Sequence, residues 1–192
     1  MTAGGRPPTW LMAWNILSLN IAWFACVIAA ARGMPELGVA SVAVLVGIHV
    51  ALVPARRREL ALIAAMAAFG YVADSIPTLL GLYAFPEAAQ LGGPSPLWMV
   101  ALWCNFATAP SLALYWMANR PALSAVLGAL GGPLAYFGGM QFGGMLAPLG
   151  TVPMLAVVAV EWAIAMPLVM WAAVHLGRWT GQPAPAETLA WG

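Results

Sequence analysis

The chain has few charged residues for its length. Only 7% of its 192 residues are Asp, Glu, Lys or Arg, whereas 63% are hydrophobic. Because soluble domains carry roughly 25% charged residues, this composition excludes a water-soluble protein and indicates a polytopic membrane protein. The charges form no basic stripe and sum to only +1, so nucleic acid is excluded as a partner.

Cysteine and histidine are also scarce. Cys26 and Cys104 lie in apolar stretches and are too few for a disulfide framework or a cysteine metal site. His49 and His175 form no metal-binding pair at helical spacing, which excludes a di-iron centre of the desaturase type. The chain contains no Gly-x-Ser-Gly motif, which argues against a rhomboid-like serine protease. We therefore expect neither a metal nor a cofactor.

Six apolar runs follow one another along the chain, each close to the ~20 residues that cross a bilayer. We predict an all-α bundle of six transmembrane helices over residues 10–178, with tails at residues 1–9 and 179–192. The predicted spans are residues 10–31, 37–54, 59–84, 97–118, 121–146 and 152–176.

The arginines predict the orientation of this bundle. With six spans, one face carries a single arginine, Arg32, and the opposite face carries Arg6, Arg56, Arg57, Arg58, Arg120 and Arg178. Positively charged residues accumulate in cytoplasmic loops. Both termini, and hence both tails, are therefore predicted to be cytoplasmic.

Polar side chains within the spans share one depth. A carboxylate in hydrocarbon costs from about 3 to over 10 kcal/mol, yet Asp74 lies inside the third run. At ~1.5 Å per helical residue, Asp74 and Asn105 lie ~12 Å from the outer edge, and Tyr136 and Glu161 ~10 Å. We predict a substrate-binding pocket in the outer half, formed by Asp74, Asn105, Tyr136 and Glu161, with Ser75 and Thr108 beside them. The alternative is that the carboxyls are protonated, hydrogen-bonded structural groups.

The fifth run carries a continuous face of small residues, namely Gly128, Gly132, Ala135, Gly139 and Gly143. Such faces let helices approach closely in membranes. The pattern predicts tight helix packing. It also favours a homo-oligomer, or a partner protein, that would pack through Gly128, Gly132, Gly139 and Gly143.

Six short stretches carry a family resemblance: Asn20–Cys26, Asp74-Ser75, Pro96–Trp98, Ala101–Trp103, Phe106–Thr108 and Gly131–Tyr136. They resemble a bacterial inner-membrane family of unknown function, DUF 2878, over about residues 12–178. Where that family often has Asn-His-Ser, this chain has Ser111-Leu112-Ala113, so no role of that histidine carries over. The resemblance implies a multi-pass protein of the bacterial inner (cytoplasmic) membrane and supplies no activity.

Three functions fit these observations. The first is a membrane protein that binds or moves a small or lipophilic substrate in the outer-half pocket, with membrane lipid around it. The second is an intramembrane enzyme that modifies a lipid or fatty-acyl substrate, with Asp74 or Glu161 as general acid or base. The third is a structural subunit of a membrane complex that packs through the glycine face of the fifth span.

Overall fold

The fold is a bundle of six α-helices. It is seen in a computed structural model that describes residues 7–180, with side chains described over residues 7–176. Residues 1–6 and 181–192 of the predicted tails, with Arg6, lie outside the described residues. The helices are α1 (Thr9–Ala31), α2 (Pro35–Leu52), α3 (Arg56–Leu79), α4 (Leu97–Phe106), α5 (Pro121–Gln141) and α6 (Thr151–Thr180), with 3-10 turns at Glu87–Ala89 and Tyr115–Met117.

The outer surface of the bundle is apolar. The helices α1, α2, α3, α5 and α6 are long and apolar enough to cross a membrane. Large aliphatic side chains point outward, with Leu79, Leu134 and Val152 between 71% and 78% exposed. Such a surface suits hydrocarbon as the surrounding medium. The all-helical class is therefore confirmed, with five helices of spanning length.

The predicted fourth span, residues 97–118, is not one continuous helix. The helix α4 ends at Phe106, and turns follow until the 3-10 turn at Tyr115–Met117. Pro110 explains the break, because proline lacks an N–H and its ring disfavours helix one turn earlier. The α-helix therefore covers Leu97–Phe106 and not the whole of the predicted span.

Asn15 of α1 compensates for the broken helix. Its side chain is fully buried. Its Nδ2 donates to Thr108 Oγ1 at 2.9 Å, and the Ala113 N–H donates to its Oδ1 at 3.3 Å. Backbone groups that leave a helix inside a membrane must find partners within the protein. Asn15 supplies such a partner for the backbone of the turn segment, at the Ala113 N–H.

The broken segment runs from one end of the bundle to the other. At the first end, an antiparallel bridge joins Ala84, beyond α3, to Leu146, beyond α5. At the second end, Leu11 near the start of α1 packs with Val53 and Leu112. The Leu97 N–H donates to Leu91 O in the first-end connection. The chain therefore passes between the two ends within residues 97–112, as a short helix followed by turns.

Proline and glycine shape the connections near the site. Pro35 and Pro121 occupy the first turns of α2 and α5, where a missing N–H costs no helical hydrogen bond. After α3, Gly81 has φ +70°, a conformation that glycine adopts without steric cost. The chain turns there and brings Tyr83 back against α3.

The glycine face of α5 packs mainly against α6 of the same chain. A Cβ on Gly128 would lie 2.2 Å from the Trp162 carbonyl oxygen, and one on Gly132 would lie 2.3 Å from the Trp162 ring. These approaches are too close for any side chain larger than hydrogen. The predicted tight packing at Gly128 and Gly132 therefore occurs within the bundle.

Candidate functional site

Asp74 lies at the centre of a buried cluster of hydrogen-bond donors. Its side chain is fully buried. Its Oδ1 accepts from the Tyr83 hydroxyl at 2.9 Å and from the Tyr136 hydroxyl at 2.5 Å. Its Oδ2 accepts from Trp103 Nε1 at 2.8 Å. A carboxyl group has two oxygens that can accept hydrogen bonds, and the three donors satisfy both oxygens of Asp74.

The cluster is assembled from four parts of the chain. Asp74 lies in α3, Trp103 in α4 and Tyr136 in α5, and Tyr83 lies in the connection that follows α3. The sequence analysis missed Trp103 and Tyr83. The one sequence feature that could have indicated them is that each carries a hydrogen-bond donor on an aromatic ring near the predicted depth of Asp74. Burial and the neighbouring Asp74 raise the pKa of Tyr83, so its hydroxyl stays protonated and keeps donating.

Glu161 of α6 lies beside this cluster. Its carboxyl group interacts electrostatically with Asp74 and lies beside Tyr83. Both of its carboxyl oxygens are buried and accept no hydrogen bond of ordinary geometry from the described residues, although the Tyr83 hydroxyl is close enough to stabilise a charge there. Two carboxyls are therefore buried together, one with three hydrogen bonds and one with only the nearby Tyr83 hydroxyl, and the described groups that face them include no cation.

The remaining predicted site residues make other contacts. Asn105 Nδ2 donates to Leu19 O of α1 at 3.3 Å, and the Thr108 hydroxyl donates to Asn105 O at 2.7 Å. Ser75 Oγ accepts from the Ser95 N–H at 3.2 Å. The structure thus groups Asp74, Tyr136 and Glu161, whereas Asn105 and Thr108 bind α1 and its neighbourhood.

A cavity of about 520 Å³ lies beside this cluster, between α1, α4, α5 and α6. Its volume is within the usual range of ligand pockets. The wall is mainly aromatic and aliphatic, and its polar side chains include Asn20, Asn105 and Tyr136. None of the described residues that line it is charged. Asn20 and Leu134 are exposed and lie where the cavity meets the outer surface.

Two aromatic residues belong to both the cavity wall and the carboxyl cluster. Trp103 and Tyr136 line the cavity, and each also donates a hydrogen bond to Asp74. The Trp103 ring stacks on Trp162, with ring centroids 4.7 Å apart and an interplanar angle of 11°. Trp162 also lines the cavity and directly follows Glu161. Asp74 itself does not line the cavity.

A second polar cluster lies at the opposite end of the bundle. Glu59 is fully buried and accepts from Arg58 at 2.7 Å and from Ser111 at 2.5 Å through Oε1, with His49 Nε2 3.0 Å from Oε2. Ser111 donates to the carboxylate and not to His49, so no nucleophile–base pair is formed. This network ties α2 and α3 to the turn segment after α4.

The sequence analysis also missed this second cluster. It interpreted Arg58 as a loop charge and placed Glu59 at the edge of a span. The spacing gave no signal, because Ser111 and Glu59 are 52 residues apart. Among the residues that the structure describes, no group of three or more His, Cys, Asp or Glu could hold a metal ion.

The apolar outer surface and the long helices define the class: a helical protein of the multi-pass membrane type. The model of one family, "Protein of unknown function (DUF2878)", matches residues 7–168. The chain belongs to this family, as the sequence motifs suggested. No curated protein and no solved structure matches the chain.

Proposed function

We propose that this protein binds a lipophilic molecule in the cavity between α1, α4, α5 and α6. The observation that carries the proposal is the cavity itself, with a volume of about 520 Å³. Pockets of this kind are apolar with a few placed polar groups. Of the predicted substrate-binding residues, Asn105 and Tyr136 would contact the ligand directly, while Asp74 and Glu161 would act from behind the wall.

The wall selects for an apolar ligand with a small neutral head. Trp23, Trp98, Leu102 and Met99 give it an aromatic and aliphatic lining. Charged headgroups would find no counter-ion there, and burying an unpaired charge costs far more than burying a neutral polar group. The amides of Asn20 and Asn105 can instead bond to a hydroxyl or carbonyl.

The ligand would enter sideways from the bilayer. Leu134 at the mouth is 71% exposed, as expected for a residue that faces acyl chains. Trp23 of α1 lines the cavity and contacts Phe142, which directly follows α5, with ring centroids 6.0 Å apart. A lateral route between these helices suits a molecule that partitions into lipid.

We further propose six crossings of a bacterial inner membrane, with both termini in the cytoplasm. The arginine distribution supports this orientation, although Arg58 belongs to the buried Glu59 network. Cysteine labelling tests it in a variant that lacks Cys26 and Cys104. An impermeant maleimide added to spheroplasts should label Ala88→Cys and not Asn119→Cys. The reverse pattern would refute the orientation.

Filling the cavity tests the proposed function. Gly131 lines the cavity, and a Cβ built there meets no atom within 4 Å, so Gly131→Leu adds a side chain at the cavity wall whose first carbon meets no clash. Gly47 of α2 is the matched control, because its Cβ also meets nothing within 4 Å and it does not line the cavity. Native mass spectrometry and solvent extraction of the purified proteins would count bound lipophilic molecules.

We expect wild type and Gly47→Leu to carry a lipophilic molecule that Gly131→Leu has lost. Ligand binding stabilises the folded state by mass action, so Gly131→Leu should also lose the thermal stabilisation that added ligand gives to wild type. Equal occupancy in all three proteins, or an empty wild-type protein that no lipid extract stabilises, would contradict the proposal.

A further inference from the structure

We propose that occupancy of the cavity is linked to protonation of the Asp74–Glu161 pair, so that the protein takes up a proton when its lipophilic ligand binds. This inference rests on the proposed function and adds a proton-binding site behind the cavity wall. Thermodynamic linkage then requires that pH change the affinity for the ligand.

Trp103 and Tyr136 provide the physical connection. Both side chains line the cavity, and their polar atoms, Trp103 Nε1 and the Tyr136 hydroxyl, donate to Asp74 at 2.8 Å and 2.5 Å. A ligand that shifts either ring changes the hydrogen bonds of the carboxylate. The stacked Trp162 extends the same wall toward the backbone of Glu161. No bond between ligand and carboxyl is needed.

Glu161 is the member of the pair that carries the proton. Asp74 accepts three hydrogen bonds, which favour its charged form. Glu161 has two buried oxygens that face only the Tyr83 hydroxyl, which already donates to Asp74, and it interacts electrostatically with Asp74. Two like charges in one buried site are strongly unfavourable, so the pair titrates as a unit.

The groups that face the pair contain no cation in the described part of the chain. They are Tyr83 from the connection after α3, Tyr136 from α5 and the non-titrating Trp103 from α4. The helix α1 contains no charged residue. His49 and Arg58 bond to Glu59 in the second cluster. A pH effect on the cavity therefore points to the carboxyl pair.

The sign of the effect follows from the hydrogen bonds to Asp74. A ligand that displaces the Trp103 or Tyr136 ring weakens the bond that this ring donates to the carboxylate. The loss of a donor disfavours the charged form of a carboxyl. Ligand binding therefore favours proton uptake, and by reciprocity the ligand binds more tightly at low pH. Typical coupling between sites changes affinity about 5- to 150-fold.

The test uses an ω-bromo fatty alcohol, whose head does not titrate and whose bromine quenches the tryptophans of the cavity wall. The full-length protein in non-ionic detergent is titrated with the alcohol at about pH 5 and about pH 9, because linkage shows as a difference in affinity between two pH values. We expect saturable quenching with at least about fivefold tighter binding at the lower pH.

Glu161→Gln keeps the shape of the side chain and removes its titration. This variant should bind the alcohol with equal affinity at both pH values. Glu36→Gln makes the same chemical change at an exposed position and should keep the wild-type pH dependence. If Glu161→Gln does not fold, Asp74→Asn provides a second readout: Glu161 then no longer faces a second charge, so the change in affinity should move to lower pH, and an unchanged pH dependence overturns the linkage.

The outcomes separate the two proposals. Saturable binding that is equal at both pH values in wild type overturns the linkage and leaves the proposed function standing. A pH dependence that persists unchanged in Glu161→Gln also overturns the linkage. Quenching that is unsaturable at every pH, or that Gly131→Leu does not reduce, overturns the proposed function and this inference with it.

Discussion

Removing the two tyrosine hydroxyls from Asp74, singly and together, gives a direct measure of how this carboxylate is held. Tyr83 and Tyr136 both donate to the same oxygen, Oδ1. Replacing either with Phe removes one donor and little else, because the ring remains. The other tyrosine then still satisfies Oδ1. The double variant leaves Oδ1 buried without any donor from the cluster.

The magnitudes follow from this geometry. Each single substitution should lower the free energy of unfolding by about 1 kcal/mol, the usual value of a hydrogen bond between membrane helices. In the double variant an unsatisfied buried acceptor adds about 1–3 kcal/mol. The loss should therefore exceed the sum of the two single losses by about 1 kcal/mol or more, which is typical for residues that share a partner.

Unfolding by SDS in mixed micelles, followed by circular dichroism, supplies these free energies. Tyr71→Phe is the matched control, because Tyr71 lies in α3, as Asp74 does, but its side chain is 38% exposed. Its substitution should change stability by less than about 0.5 kcal/mol. Additive losses in the double variant, or an equal loss in Tyr71→Phe, would refute the view that both hydroxyls serve one buried oxygen.

Three further predictions concern other parts of the bundle. Glu161→Gln should leave thermal stability unchanged or raise it, because an amide cannot place a second buried charge beside Asp74; a large drop in melting temperature would contradict this. Gly128→Ala should lower the free energy of unfolding in micelles by about 1–3 kcal/mol by overpacking, whereas Gly131→Ala should not, since only the first Cβ meets α6. Glu59→Leu should cost about 3–5 kcal/mol in the same assay, since it leaves the buried Arg58 without its carboxylate; a cost below 1 kcal/mol would be incompatible with the network.

Hydrophobic runs predicted the long helices closely because their cause is local. The first span was predicted at residues 10–31, and α1 is Thr9–Ala31. A run of apolar side chains in a bilayer must form helix to satisfy its own backbone. The fourth span differs because its irregular backbone is satisfied by a distant residue, Asn15. No local sequence pattern indicates a contact between residues so far apart in the chain.

Depth arithmetic had a similar limit at the candidate site. It predicted that Asp74 and Tyr136 lie at one level, and the two side chains are in contact. Equal depth does not specify which face of a helix a residue occupies, so Asn105 was grouped with Asp74 although it bonds to α1. Tyr83 returns to the site through a turn at Gly81, which a count along straight helices does not represent.

The two buried clusters differ in a way that bears on function. Glu59 has Arg58 as a counter-ion, which is how a structural carboxylate is held at low cost. Asp74 instead accepts hydrogen bonds from tyrosine hydroxyls and one indole, and the charged group that it interacts with is Glu161. Packing alone would be served better by amides, which carry no charge to bury. Two of the chain's six acidic residues thus lie together in its apolar interior without a described cation, directly behind a cavity wall. In the linkage that we propose, a proton neutralises one of these two carboxyls. Amides at the same positions could neither gain nor lose that proton.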